Sequence, residues 1–134
     1  MPPVSSSIIH PAAQSALVFL GAGLGGLTRH WAIALISRLH TGDFPAGTIA
    51  VNISGCFVMG LLMGAWSRAP ADGLRLLVLT GVLGGYTTFS AFGRDTIALA
   101  QAGAYAQAAL YALASVLLCL LATAAGLWLA GLLR

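Results

Sequence analysis

The stretch that decides the fold covers residues 80–93 and reads Thr80-Gly81-Val82-Leu83-Gly84-Gly85-Tyr86-Thr87-Thr88-Phe89-Ser90-Ala91-Phe92-Gly93. It is apolar at its start, but its middle holds two adjacent glycines, and three hydroxyl residues follow within four positions. A continuous helix gains nothing from Gly84 and Gly85, because each glycine costs about 1 kcal/mol relative to alanine. The stretch therefore predicts a helix that is interrupted in its middle. A straight helix that uses its glycines for packing is the alternative.

Four apolar segments surround and include this stretch, at residues 15–36, 47–66, 74–92 and 105–133. Each is near or above the roughly 20 residues that a helix needs to cross a bilayer. The sequence therefore predicts one all-α domain over residues 1–134, with four transmembrane helices and a break in the third. Unwound backbone at membrane depth survives only where protein or a water-filled path surrounds it.

The composition excludes most soluble functions. Hydrophobic residues make up 59% of the 134 residues and charged residues 7%, whereas a soluble domain carries about 25% charged residues. The six arginines are scattered, so no nucleic-acid surface is indicated. His10, His30 and His40 stand alone without a nucleophile–base pattern, and we expect no enzyme. Residues 1–14 lack lysine and arginine, so no cleaved signal peptide is predicted.

The arginines also bear on orientation. A four-helix topology puts Arg68, Arg75 and Arg134 on one side, and Arg29, Arg38 and Arg94 on the other. With three arginines on each side, the positive-inside rule predicts no preferred orientation. The chain is therefore expected to insert in both orientations, the alternative being a weak bias that so few charges conceal.

Polar side chains inside the spans are candidates for an ion path. Asn52, the single asparagine, sits in the second span, where its amide must find a partner or line a polar cavity. Phe89 and Phe92 are three residues apart and would share a helix face. A stripe in the fourth span comprises Gln107, Tyr111, Ser115, Cys119 and Thr123. The plainer alternatives are core packing for the aromatic residues and cysteines, and hydrogen bonds from Ser and Thr to their own helix backbone.

Taken together, these residues resemble the CrcB/Fluc family of bacterial fluoride channels. The resemblance covers nearly the whole chain and rests on four pieces: Gly25-Gly26-Leu27-Thr28-Arg29, Pro45-Ala46-Gly47-Thr48 with Val51-Asn52-Ile53-Ser54-Gly55, residues 81–92, and Tyr111 with Ser115. Departures from the family pattern are Tyr86, Ala91, Asp95 and Cys119.

The resemblance implies an antiparallel, dual-topology homodimer in the bacterial inner membrane that exports fluoride passively and protects the cell from it. It implies that the fluoride pore is lined by Asn52, Phe89, Ser90, Phe92, Tyr111, Ser115, Cys119 and Thr123. Arg29 would stand at the entrance. The backbone carbonyls of Gly84 and Thr87 would hold a structural Na⁺ that is not transported.

Elementary chemistry agrees with an anion path, since amide and hydroxyl groups donate hydrogen bonds and aromatic edges carry positive partial charge. Two other classes stay open. A four-helix proton-coupled multidrug exporter would need a carboxylate embedded in the membrane, whereas Asp43, Asp72 and Asp95 are expected in loops or at span ends. A non-conducting assembly subunit would leave the polar residues unexplained.

Overall fold

The computed structural model describes residues 9–40, 42–66 and 72–133, and this part of the chain is helical apart from short connections. Arg68 and Arg134, which contribute to the predicted charge balance, lie outside the described residues. The helices are α1 (Pro11–Leu39), α2 (Ala46–Ala65), α3 (Asp72–Arg75), a π-helix (Leu76–Leu83), α4 (Gly84–Tyr86), α5 (Phe89–Gln101) and α6 (Tyr105–Leu132). Across the three described ranges there is no strand, so the all-α prediction is confirmed.

Three segments are long and apolar enough to cross a membrane, namely Ala46–Ala65, Asp72–Gln101 and Tyr105–Leu132. The first and last agree closely with the predicted second and fourth spans. Helix α1 has 29 residues, which is sufficient length, but it also carries Arg29 and His30 and is not one of the three. That α1 forms a fourth span stays a prediction.

The third predicted span is interrupted, but not at its glycines. The helix runs through Gly84 and Gly85, and the chain is extended at Thr87 (φ −78°, ψ 155°) and Thr88 (φ −150°, ψ 117°) before α5 begins. The predicted break is confirmed and its position is corrected by about one turn. Gly85 serves packing instead, because its Cα lies against the Ala22 backbone of α1.

The third span was predicted to end at Phe92 and to be followed by a loop over residues 93–104, and that boundary is wrong. Helix α5 continues to Gln101, and the turn occupies residues 102–104. The Gly103 N–H bonds the Ala100 carbonyl and the Ala104 N–H bonds the Leu99 carbonyl, both at 3.0 Å. This is the Schellman pattern, and Gly103 supplies its left-handed residue with φ 78°.

Small residues bring the helices together in two pairs. Helix α6 packs on α2 where Gly60 lies against the Thr123 carbonyl and Gly126 against the Phe57 carbonyl. Helix α1 packs on the segment Asp72–Gln101, which contains the break and is called the third segment below. The contact is made through Gly21, Gly25, Gly81 and Gly85. Gly21 with Gly25, Gly60 with Gly64, and Gly81 with Gly85 are GxxxG pairs, and such pairs let helix backbones approach closely.

The order in which residues of one helix contact residues of the other shows whether the two helices of each pair are parallel. Gly60 of α2 meets Thr123 of α6, and Gly64, one turn later, meets Leu127 and Ala130, so α2 and α6 run the same way. Likewise, Gly21 meets Leu77 and Gly25 meets Tyr86, so α1 and the third segment run the same way.

Candidate functional site: two cavities at the helix break

The break is held by the Asn52 side chain. Its Oδ1 accepts a hydrogen bond from the Thr88 N–H at 2.7 Å, and its Nδ2 donates to the Thr88 carbonyl at 3.0 Å. Asn52 and Thr88 are both buried. Thr88 loses its helical backbone partners where the helix stops, and the Asn52 amide replaces them. A buried backbone N–H or carbonyl needs such a partner. One N–H of the amide stays available for another acceptor.

The same bonds free two carbonyls of the third segment. In a continuous helix, the Thr88 N–H would bond the Gly84 carbonyl and the Ala91 N–H would bond the Thr87 carbonyl, following the i to i−4 rule. Here the Thr88 N–H bonds Asn52, and the Ala91 N–H bonds Thr88 Oγ1 at 3.2 Å. The carbonyls of Gly84 and Thr87 therefore lose their helical donors. The Thr87 carbonyl accepts from Arg29 Nη1 at 3.3 Å.

Helix α5 restarts with a side-chain cap. Thr88 is the N-cap residue, and its hydroxyl accepts from the Ala91 N–H. Thr88 Oγ1 also lies 3.2 Å from Ser90 Oγ. The free N–H groups at this helix end carry partial positive charge, so the break turns a positive end toward the residues beside it.

A groove of about 290 Å³ lies beside the break. It is lined by Asn52, Cys56, Thr87, Thr88, Phe89, Phe92, Ser115, Val116, Cys119 and Leu120. Five of the predicted pore residues therefore meet in one groove. None of the described residues that line it carries a full charge.

The aromatic residues form a run that starts at the groove. The ring centroids of Phe89 and Phe92 lie 5.1 Å apart, and those of Phe92 and Tyr111 lie 5.6 Å apart. Phe44 packs edge-on against Tyr111 on its other side. Phe92 is partly buried and packs against the core cluster around Tyr111, whereas Phe89 is 81% exposed in the single chain.

Two buried hydroxyls complete this region. Within residues 9–40, 42–66 and 72–133, the Tyr111 and Ser115 hydroxyls are the buried side-chain groups that make no hydrogen bond of acceptable geometry. Buried hydroxyls are normally paired, so both are available to an added acceptor. The Ser115 hydroxyl lies near that of Tyr111, and Ser115 is also one of the residues that line the groove.

The rest of the predicted stripe does not join the groove. Thr123 Oγ1 donates to the Cys119 carbonyl at 3.0 Å, the backbone-bonded alternative considered for such residues. Gln107 lines a separate cavity near the α5–α6 turn. In the single chain the stripe is therefore continuous from Tyr111 to Cys119 and not beyond.

A wider cavity of about 570 Å³ lies on the other side of the break. Its lining comprises Gly26, Arg29, His30, Ile33, Thr88, Ser90, Ala91 and Arg94. Ser90 is placed here, apart from the phenylalanine pair, and Thr88 lines both cavities. Arg29 gives this cavity a positive charge, and its hydrogen bond to Thr87 ties that charge to the break.

Asp95 is not in a loop, which corrects the expectation for the aspartates. It lies in α5, with 11% of its side chain exposed, and forms an ion pair with Arg94. Its Oδ2 also accepts from Thr48 Oγ1 at 2.7 Å. The carboxylate therefore links α5 to the start of α2, and Thr48 and Asp95 line a separate cavity from the wide one.

Three residues of this site escaped prediction from the sequence: Thr88, Cys56 and Thr48. Thr88 had a detectable signal, because a threonine before a resumed helix is a preferred N-cap. Cys56 lies four residues after Asn52 and so shares its helix face. The role of Thr48 depends on the packing of α2 against α5, which no local pattern reveals.

Comparisons with known proteins agree with the family resemblance of the sequence. The model of the family described as "CrcB-like protein, Camphor Resistance (CrcB)" matches residues 16–127. The chain is 49% identical over 113 residues to "Fluoride-specific ion channel FluC 2" of Nitrobacter hamburgensis, covering 83% of this chain and 91% of the relative. It is 46% identical over 113 residues to "Fluoride-specific ion channel FluC" of Rhodopseudomonas palustris, with the same coverage. A relative from Yersinia pseudotuberculosis, also named "Fluoride-specific ion channel FluC 2", is 46% identical over 117 residues, covering 84% of this chain and 93% of the relative.

Proposed function

The chain belongs to the CrcB family, and from this premise we propose that it is a fluoride-specific channel. It lets fluoride leave the cell passively across the bacterial inner membrane, lowering intracellular fluoride and its toxicity. Relatives of 46–49% identity that carry this name support the assignment. The channel forms no covalent bond with the ion and works by offering replacements for its hydration shell.

The groove beside the break carries the proposal. It combines the spare amide N–H of Asn52, the unpartnered hydroxyl of Ser115 and the rings of Phe89 and Phe92. These groups are hydrogen-bond donors and positively polarised ring edges, which is what a strongly hydrated anion needs when it loses water. Val116 and Leu120 form an apolar part of the wall, and their side chains have no oxygen atom that could coordinate a cation.

Entry begins in the wide cavity. Arg29 attracts an anion there, and the Thr88 and Ser90 hydroxyls lie beyond it toward the break. Thr88 lines both cavities, so the ion passes from one to the other around this residue. Because no described residue of the groove carries a full charge, the ion is bound weakly enough to leave, as conduction requires.

The working unit we propose is an antiparallel homodimer with two pores, each closed by the second copy. Phe89 is 81% exposed in the single chain, and Gly84 is also exposed. A groove open on one side cannot exclude lipid from an ion path, so a second copy has to cover it. The balanced arginines allow the two copies to insert in opposite directions.

In the same arrangement α1 also crosses the membrane, which gives four spans with α1 as the first. Helices α2 and α6 run the same way, as do α1 and the third segment. An up-down-up-down path through the bilayer places the first and third spans parallel, and the second and fourth parallel. Arg29 and His30 then face the wide cavity, not lipid.

A structural Na⁺ is the cofactor that we propose, held by the Gly84 and Thr87 carbonyls of both copies. These carbonyls fit a hard cation, because both have lost their helical donors and oxygen is the ligand that such ions prefer. The Thr87 carbonyl also accepts from Arg29, and its second lone pair is left for the ion. When bound, the ion would neutralise the carbonyl dipoles at the break and tie the copies together.

Growth in fluoride tests the function. A bacterial strain that lacks its own fluoride export should grow in fluoride when it produces this chain, and should stay sensitive with Asn52→Asp at equal membrane abundance. Resistance to organic cations without resistance to fluoride would instead support the proton-coupled exporter, for which Asp95 in α5 is the candidate carboxylate.

A further inference from the structure

Two thiols face each other in the wall of the groove. Cys56 lies on α2 one turn after Asn52, and Cys119 lies on α6 one turn after Ser115. Both line the groove and both are partly buried. The two thiols are close enough to interact directly. The chain has two cysteines in all, so this pair contains every thiol of the protein.

The helix crossing explains why the thiols meet. One turn beyond Cys56, Gly60 lies against the carbonyl of Thr123, which is one turn beyond Cys119. Side chains four residues apart lie on the same helix face, and α2 and α6 run the same way. The close approach at Gly60 therefore holds residues 56 and 119 opposite each other where the groove begins.

We propose that Cys56 and Cys119 form a binding site for a soft, two-coordinate metal cation such as Hg(II), Ag(I) or Cu(I). Thiolate is the ligand that selects such ions, and two ligands are sufficient for linear coordination. In the described part of the chain, no group of three or more His, Cys, Asp or Glu side chains could hold a metal. The pair therefore does not suit zinc or other ions that need four ligands.

The chemistry of binding is ligand exchange without redox. Mercuric chloride gives up two chloride ions, each thiol gives one proton to water, and two sulfur–mercury bonds form. The neutral chloride complex can reach a site inside the membrane. A metal bound there narrows the groove beside Ser115, and we infer that it blocks permeation; this consequence rests on the proposed channel function.

Metal binding is tested on the full-length protein in detergent, with mercuric chloride as the probe. The unsubstituted protein should retain about one mercury per chain after washing with a monothiol competitor, and show mercury–thiolate absorption in the ultraviolet. Cys56→Ser and Cys119→Ser each leave one thiol and should lose the metal in the wash. The double variant should bind none, and alanine at either position provides a second variant where serine impairs folding.

Two results would overturn the site. One is retention of two mercury ions per chain, or equal retention by a single-cysteine variant, since either means that the thiols bind independently. The other is mercury that links two chains, seen as a dimer on a non-reducing denaturing gel.

Block is tested in liposomes, where each protein is compared with its own rate before mercury is added. Fluoride efflux through the unsubstituted protein should fall about tenfold or more and recover with a dithiol, while the double variant should not respond. Mercury binding without inhibition would overturn the block. Absence of efflux before mercury would count against the proposed channel function and leave the detergent binding result standing.

Discussion

Asn52 has two tasks at the residue scale, because the same amide holds the break and faces the groove. Asn52→Asp keeps the shape but places a carboxylate oxygen against the Thr88 carbonyl, where Nδ2 now donates. We expect a loss of about 1–3 kcal/mol in unfolding free energy, the cost of a broken buried hydrogen bond. Fluoride efflux should fall by more than the loss of folded protein alone explains, since the new negative charge repels the anion.

Thermal unfolding and efflux, measured on the same preparation, check this prediction. Ser54→Ala is the matched control, because Ser54 lies on the same helix and is exposed. Its hydroxyl bonds the Val51 carbonyl and Tyr86 and does not line the groove. Asn52→Asp with the efflux and stability of the unsubstituted chain would refute both tasks.

The phenylalanine pair separates ring chemistry from packing. Phe89 is 81% exposed in the single chain, so Phe89→Ile should change the chain's own stability little, yet slow fluoride efflux by removing a ring edge. Phe92 packs on Tyr111, so Phe92→Ile should slow efflux and also cost about 1 kcal/mol of stability.

Phe19→Ile is the control for these substitutions, because Phe19 is 78% exposed on α1 and lines none of the cavities described here. Efflux at the control rate in both Phe89→Ile and Phe92→Ile would remove the ring edges from the mechanism.

At the scale of elements, the break depends on a helix cap. Thr88 Oγ1 accepts from the Ala91 N–H at the start of α5. Thr88→Ala should therefore cost about 0.5–2 kcal/mol of stability, whereas Thr88→Ser should retain most of it. Thermal unfolding distinguishes them. Thr28→Ala is the control, since the exposed Thr28 hydroxyl bonds only its own helix at the Leu24 carbonyl. Equal stability of the alanine and serine variants would mean that the cap does not hold α5.

The elements also show how far sequence could predict this fold. Length and apolarity were sufficient for α2 and α6, whose ends fall within about two residues of the predicted ones. The sequence predicts the break at Gly84 because glycine disfavours helix. In the structure, contact with Ala22 gives Gly85 a packing role. The helix stops at Thr88 instead, where the Asn52 amide bonds the backbone N–H and carbonyl. That partner is 36 residues away, so no local pattern could locate it.

Other features had no sequence signal at all. The π-helix Leu76–Leu83 has a leucine- and valine-rich composition that suits an α-helix equally well. The sequence does not predict the end of α5 because charged residues such as Asp95 favour a loop after the third span, whereas Arg94 and Asp95 form an ion pair within the helix. The family resemblance is confirmed, and the grouping of Asn52, Phe89 and Phe92 agrees with it. The conducting roles of these residues stay predictions.

At the scale of the whole molecule, assembly depends on surfaces that one chain leaves open. A side chain at Gly84 meets little within the chain, the nearest atom being the Leu79 carbonyl at 3.9 Å. Gly84→Val should therefore leave the chain folded but abolish dimers by crowding the carbonyls that we assign to Na⁺. Thr87→Ser should be mild, because the Thr87 hydroxyl bond to Leu83 is retained. Light scattering in detergent with sodium present checks this, and dimers of Gly84→Val would contradict it.

Dual topology is a separate prediction at this scale. Single cysteines at Asp72 and Ala102, both exposed and at opposite ends of the third segment, should each be labelled from both sides of the membrane in the background without Cys56 and Cys119. Ala102 is preferable to Gly103, whose positive φ disfavours any side chain. Labelling of each site from one side alone would contradict insertion in both orientations.

Fluoride release from liposomes that contain only this protein tests the central claim most directly. With potassium fluoride inside and a potassium carrier added to balance charge, we expect rapid fluoride release without an imposed proton gradient, and no release of chloride under the same conditions. Release that requires a proton gradient, or equal release of chloride and fluoride, would contradict a passive, fluoride-specific channel.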